Sequence, residues 1–356
     1  MADLSARLAA RVREASEQRQ PLRLAGSGSK AFLSDAAHGE PLELRGHEGI
    51  VSYQPRELVV RARAGTRLAD LEALLAGNRQ MLAFEPPAFG ADATLGGAIA
   101  CGLSGPRRPY VGAARDFVLG AQLIDGRGQR LRFGGEVMKN VAGYDVSRLM
   151  VGAFGSLGVL LDVSLKVLPR PQQETTLVLE HALTDALARM NRLASRALPL
   201  SAASWHAGVM RLRLSGAAEA VASAAREIGG ERQADGEAYW QALREQRLEF
   251  FDPARLGGAR LWRLSLPPTR PPLDLEGDCL LDWGGAQRWL ISELTPEVVR
   301  RAAAEAGGHA TCFRGPAPED GRFHPLTPAM RRLHQRLKQV FDPRAILNPG
   351  LPCRTP

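Results

Sequence analysis

At 356 residues the chain is longer than one ordinary hydrophobic core, so two domains are expected. Its net charge of +8 comes from arginines scattered among acids, the lysines being Lys30, Lys139, Lys166 and Lys338, with no aromatic-interleaved basic stripe, which argues against a nucleic-acid partner. The cysteines, Cys101, Cys279, Cys312 and Cys353, stand too far apart for an iron–sulfur or zinc site built by this chain alone, so no metal is expected and the thiols read as the reduced ones of a cytoplasmic protein.

The opening run MADLSARLAARVREASEQRQ sets Leu4, Leu8 and Val12 at helical spacing and predicts a helix over 3–18. It is crowded with charge and lacks the apolar centre of a signal peptide. No run in the chain reaches membrane-spanning length, so direct membrane insertion is not expected. Short strands follow at 22–24, 42–44, 50–53 and 58–64. Gly65-Thr66 is expected to cap a helix over 68–75, with Leu68, Leu71, Leu74 and Leu75 on one face. The stretch 86–112 is rich in Gly, Ala and Pro, and Thr94 is placed to open a short helix within it. A loop this long costs entropy that some contact must offset. VLGAQLIDGRGQRLRFG then reads as a hairpin with Asp125-Gly126 at its turn. A second Gly-rich stretch covers 139–158, and a strand over 159–168 is closed by Pro169-Arg170-Pro171.

Beyond Pro171 the pattern changes. Strand 175–180, helix 183–193, strands 201–205 and 209–214 and helix 217–228 form one round. Helix 237–248, strands 260–266, 279–283 and 288–292, helix 296–306 and strand 310–313 form a similar second round. Together they predict a pair of βαβ-like units on an antiparallel sheet, with a domain boundary at 169–172. A helix over 328–340 and the ending FDPRAILNPG complete the chain.

Three Gly-rich segments, 26–30, 94–105 and 143–158, therefore lie in the first domain. The first, LAGSGSK, fits neither a Walker loop nor a Rossmann fingerprint: Gly26 and Gly28 are too close, and Ala31 follows Lys30. Several such loops together suit a diphosphate, because main-chain N–H groups can approach its oxygens where no Cβ intervenes. The alternative is that these glycines let backbones cross.

Six segments in order resemble one known family: LAGSGSK, GIVSYQPRELVVRARAGTRLADLEALLA, GADATLGGAIACGLSGP, RDFVLGAQLIDGRGQRLRFG, KNVAGYDVSRLMVGAFGSLGVLLDVSLKVLP and FDPRAILNPG. It is the FAD-linked oxidases of the vanillyl-alcohol-oxidase type, with the PCMH fold, and within them the FAD-binding (E) subunits of bacterial glycolate oxidases. The block 138–167 and the DP-x-x-x-L-NPG ending carry the most specific part of the match. The resemblance implies an α+β fold. A PCMH-type FAD-binding domain in two subdomains would cover 1–170 and an α/β (ferredoxin-like) cap 171–326. A helix and NPG tail over 327–356 would return to the FAD domain.

The implied cofactor is FAD. Gly26, Ser27, Gly28, Ser29 and Lys30 match the loop that wraps its pyrophosphate. Thr94, Leu95, Gly96, Gly97, Cys101, Gly102 and Gly105 match the segment lying along pyrophosphate and flavin. Gly155, Gly158 and Val159 match a main-chain support, with Val159 at the base-binding position, and Asn348 matches the point where the tail returns. Many members tether FAD through a Gly-Gly-His loop. Here Ser29-Lys30 occupy that region, so non-covalent FAD is expected, with Lys30 a candidate charge for the pyrophosphate.

Oxidising a 2-hydroxy acid needs a cation for the carboxylate and a base for the hydroxyl proton. The histidine-bearing GDGNxH and GEHGxG motifs of catalytic relatives are absent. His206, His324 and Arg314 are the remaining polar candidates, each more readily read as structural, and the catalytic residues stay unknown. The expected function is that of the FAD-binding subunit of a glycolate oxidase complex. It would oxidise glycolate, a small 2-hydroxy acid, to glyoxylate, with a larger flavoprotein subunit and an iron–sulfur subunit as partners. Any attachment to the inner membrane would be peripheral, through those partners. The alternatives are a self-sufficient FAD-dependent 2-hydroxy-acid (lactate-type) dehydrogenase and a non-catalytic subunit of the same fold.

Overall fold

A computed structural model describes residues 3–34, 37–135 and 144–351. The chain forms two compact units: Met1–Ser104, Gly112–Arg170 and Pro325–Pro356 make the first, Gly105–Val111 and Pro171–His324 the second. The architecture is α+β.

In the first unit a five-stranded antiparallel sheet runs in the order Ile50–Gln54, Val59–Arg63, Val159–Lys166, Val118–Ile124, Arg130–Gly134. The middle strand is buried on both faces along nearly its whole length, so that its polar residues Asp162 and Ser164 are buried with the apolar ones. Its one acid, Asp162, is neutralised by Arg61 on the adjacent strand at 2.7 Å. The helix Ser5–Gln18 packs Leu8, Val12 and Ala15 onto Ile124, Val159 and Leu161, and the tail residues Ile346 and Leu347 join the same core. Beside this lies a short parallel pair, Leu22–Ala25 with Glu40–Glu43, the second strand starting two residues before the expected 42–44 and ending one before it.

The tail is stitched to that pair. The N–H of Leu22 donates to Ile346 O (2.7 Å) and the N–H of Asn348 to Leu22 O (2.9 Å). The helix Pro328–Phe341, N-capped by Thr327, supplies Lys338. Its ammonium donates to Ser156 O, Leu347 O and the Asp342 carboxylate, each at 2.7 Å. Asp342, buried, also accepts the N–H groups of Ile346 and Leu347. Partial burial lowers the Lys338 pKa, but three acceptors keep this half-buried cation satisfied.

The second unit is an eight-stranded antiparallel sheet. Its first half runs Glu231–Gln233, Gln173–Glu180, Val209–Gly216, Leu200–His206; its second runs Asp278–Asp282, Gln287–Ser292, Arg260–Ser265, His309–Arg314. The halves join through Trp205↔Leu281 and His206↔Leu280. Helices Leu183–Ala194 and Ala218–Ile228 cover the first half, and Pro296–Glu305 covers the second.

Two expectations need correction. Gly105–Val111 lies inside the sequence of the first domain but packs with the second unit. Tyr110 joins the core of that unit, Arg107 pairs with Glu174, and Trp283 Nε1 donates to Gly105 O at 3.0 Å. Thr66 does not cap the helix Leu68–Ala76, whose N-cap is Arg67 without a side-chain bond. Its hydroxyl instead accepts from Gly49 N–H at 2.9 Å. Among the described residues, no helix is long and apolar enough to cross a membrane.

Candidate functional site

The glycine-rich segments meet in the first unit around a cavity of about 310 Å³. One wall is the loop after the strand Leu22–Ala25, where Gly26, Ser27, Gly28, Ser29 and Lys30 all face the cavity. A second wall is the start of the helix Leu95–Cys101, with Thr94, Gly96 and Gly97 at its opening and Cys101 at its far end. Phe154, Gly155 and Gly158 form the third, and Asn348 closes the set from the tail. Leu24, Leu44, Ala64 and Leu160 line an apolar side. The remaining sequence candidates are placed elsewhere. Leu95 and Val159 are fully buried in the core, Gly102 ends the helix outside the lining, and Gly105 belongs to the second unit. The expected segment 143–158 begins at Gly143, outside the described residues.

The glycines are required by contact as well as by turn geometry. A Cβ on Gly96 would lie 2.7 Å from Ala64 Cβ and 2.9 Å from Ala64 O, so the helix could not approach the strand Val59–Arg63 as it does. Gly28 has φ of +76° with open space around it, a turn that L side chains resist. Thr94 caps the short helix, its hydroxyl accepting the Gly97 N–H at 3.2 Å. A Cβ on Gly26 would fall 2.8 Å from that same hydroxyl, so the two walls touch there.

Asn348 holds the walls in register. Its side-chain oxygen accepts the Leu24 N–H and its amide donates to Phe154 O, both at 2.7 Å. These bonds consume its polar atoms, so it positions the loops that surround the cavity. Sequence reasoning singled out Asn348 but not Lys338 and Asp342, which brace the same tail; the Asp of DP-x-x-x-L-NPG was the available signal.

Lys30 is buried, and its ammonium donates to Ala88 O at 3.0 Å and sits 5.6 Å from the centre of the Phe89 ring. Burial pushes the Cys101 thiol up to about 11, against a smaller opposing pull from Lys30, so it is protonated at neutral pH. The other polar candidates lie in the second unit with partners of their own. His206 Nε2 is 3.5 Å from Asp278, His324 Nδ1 accepts the Ala310 N–H at 3.3 Å, and Arg314 donates to Gln246 at 3.0 Å.

A polar, glycine-built wall opposite an apolar one fits a ligand with a phosphate-bearing end and a flat hydrophobic end. The comparisons agree in kind. Residues 3–134 match the family model described as "FAD binding domain". The chain is 49% identical over 348 residues to the glycolate oxidase subunit GlcE of Escherichia coli (strain K12), covering 98% of this chain and 97% of that protein. The chain belongs to the FAD-linked oxidase family, a class of FAD-dependent oxidoreductases. A D-lactate dehydrogenase of Anaerostipes hadrus is 31% identical over 155 residues, 42% of this chain and 32% of that enzyme. In structure, alkyldihydroxyacetonephosphate synthase matches with a TM-score of 0.65 at 13% identity, over 96% of this chain and 74% of that one, a likeness of fold alone.

Proposed function

We propose that this chain is the FAD-binding subunit of a glycolate oxidase assembly that converts glycolate to glyoxylate. The larger flavoprotein subunit and an iron–sulfur subunit would carry electrons onward. The observation behind this reading is the glycine-walled cavity in a chain so similar to GlcE along its full length. FAD, when bound, supplies a two-electron acceptor for the oxidation of a carbinol carbon. The loop of residues 26–30 and the helix start at Thr94–Gly97 would hold its pyrophosphate, without a covalent tether. Lys30, already bonded to Ala88 O, would add a fixed positive charge to that wall.

Among the described residues that line the cavity, Lys30 and Cys101 are poor bases at neutral pH, one a bonded ammonium and the other a thiol held near 11. Neither of these two groups therefore supplies the acceptor for the substrate's hydroxyl proton. The identity to GlcE along 98% of this chain, against 42% for the D-lactate dehydrogenase, favours an assembly in which the chain works with partners over a self-sufficient dehydrogenase. The similarity to a D-lactate dehydrogenase keeps the second reading in the test.

The chain is purified alone and with co-expressed partner subunits, and its visible spectrum is followed on adding FAD and then glycolate or D-lactate. Bleaching by glycolate only in the assembly is expected. Bleaching of the isolated chain would transfer the assignment to the self-sufficient dehydrogenase. No flavin absorbance under any condition would defeat both and leave the non-catalytic subunit.

A further inference from the structure

The second unit holds two guanidinium groups that the cofactor cavity does not use. In the half-sheet running from Asp278–Asp282 to His309–Arg314, alternate side chains divide between two faces. One face buries Trp262, Leu264, Leu290 and Cys312 with Val299 and Ala303 of the covering helix. Arg263 is on the other face, opposite Trp289 and Thr311 in register. It is half-buried, and its guanidinium makes no hydrogen bond or ion pair among the described residues. Its Cζ stands 5.7 Å from the centre of the Trp283 ring, and Arg108 Cζ stands 4.2 Å from the same ring. The indole is fixed by its bond to Gly105 O.

Burial, and then repulsion from Arg108, pull the Arg263 pKa down to about 10, with partial relief from Asp282. That carboxylate is already engaged, accepting from Trp283 N–H at 2.7 Å and from the Gln287 amide at 3.2 Å. Burial and the field of Arg263 also lower the pKa of nearby His309, which leaves its imidazole neutral at pH 7. Two like charges held together away from bulk water raise the free energy of the empty site, and an incoming anion removes that penalty.

We propose that Arg263 and Arg108, set against Trp283, form a recognition site for the carboxylate of a small organic acid. Planar guanidinium forks match a carboxylate in two parallel hydrogen bonds, and the indole offers an apolar wall for a short carbon skeleton. Only the identification of that acid as a 2-hydroxy acid rests on the function proposed above.

Calorimetric titration of the full chain with oxalate and with glycolate tests the site. Arg263→Gln is expected to weaken binding at least about tenfold. Arg263→Lys, which keeps the charge but loses the fork, should fall between, and Arg314→Gln should bind like the parent. Melting curves of both Arg263 variants show whether they fold, and the lysine variant carries the test if the glutamine variant does not. Parental affinity in the Arg263 variants, or no binding by the parent, overturns the proposal. Equal binding of inorganic phosphate with the same Arg263 dependence overturns the carboxylate assignment. Arg263-dependent oxalate binding without glycolate bleaching in any assembly upholds the site and removes the glycolate oxidase reading.

A separate observation concerns the helix Pro328–Phe341, of which only Phe341 is buried. Met330, Leu333 and Val340 are 44%, 49% and 61% exposed, and with Leu337 they repeat in alternating steps of three and four, the spacing of a coiled-coil seam. Arg331, Arg332 and Arg336 flank the seam, exposed and without an ion pair among the described residues, and the helix contains no acid. We infer that this seam docks an amphipathic helix with an acidic rim on a partner protein, and this rests on the subunit role proposed above. The narrow seam, without aromatic anchors, is a poor membrane face.

Co-purification with the co-expressed partner subunits should be lost in Leu333→Glu/Leu337→Glu and weakened in Arg332→Glu/Arg336→Glu, while the isolated variants keep the parental melting temperature. Full assembly of both variants overturns the seam. If the parent itself fails to assemble, the subunit reading falls with it. Binding of the parent to anionic vesicles, or self-association, that these changes abolish would reassign the surface and overturn the inference.

Discussion

Replacing Asn348 by alanine tests whether one side chain sets the shape of the cavity. The change removes the acceptor of the Leu24 N–H and a donor to the Phe154 carbonyl, at a position that is 6% exposed. Each buried backbone group left unsatisfied costs about 1–3 kcal/mol. Alanine at a φ of +41° adds about 1 kcal/mol, because asparagine tolerates the left-handed region better. The expected loss is about 3–7 kcal/mol, toward the low end if water enters the gap. For a unit of roughly 200 residues that lowers Tm by at least about 6 °C. Leu24 and Phe154 both line the cavity, so FAD affinity should fall in parallel, read from the fluorescence of released flavin. Asn348→Asp keeps the acceptor for Leu24 but turns an oxygen toward Phe154 O, so a near-isosteric change should also destabilise. A Tm within about 1 °C of the parent for Asn348→Ala, with unchanged flavin affinity, would refute the positioning role.

Gly26→Asp puts a side chain against Thr94 Oγ1 and an anion on the expected pyrophosphate wall, so FAD binding should weaken at least about tenfold; titration of the apoprotein checks this, and parental affinity would remove residues 26–30 from the assignment. Burial alone would push the Glu174 carboxyl up, but Arg213 and Arg107, with a bond from Ser215, hold it below its ordinary value of 4.5. The unfolded chain therefore binds the extra proton first, and the stability this group contributes is present above pH 4.5 and lost as pH falls through the folded-state value. Urea midpoints of Glu174→Gln should thus lie below the parent at neutral pH and converge with it in acid, whereas a pH-independent gap would contradict the linkage. Cys101, with its thiol near 11, should react with iodoacetamide at pH 8 about 100-fold more slowly than an exposed thiol, as followed by mass spectrometry; rapid labelling would show that the cavity wall opens.

What the sequence made legible was local. The strand Val159–Lys166 lies within the expected 159–168, Thr94 opens the short helix expected of it, and the loop of residues 26–30 stood out by its two glycines. What stayed hidden depends on partners far away in the chain. Asp125-Gly126 reads as a two-residue turn, yet pairing ends at Ile124↔Arg130 and the loop is longer, organised by the Asp125 carboxylate accepting from Arg127 and Gln129 N–H. Gly126 is needed for another reason: a Cβ there would lie 2.3 Å from the Asp342 carboxylate, so the hairpin loop and the tail press together. The tail motif was visible as a string, but its work is done at residues 22, 24, 154 and 156, through backbone bonds that any sequence at those positions could offer. Gly105–Val111 escaped for the same reason, because its allegiance is fixed by Glu174 and Trp283 rather than by its own composition. The cavity is thus a property of the closed tail as much as of its glycines, and disrupting Asn348 or the Lys338–Asp342 pair should loosen it without touching a single glycine.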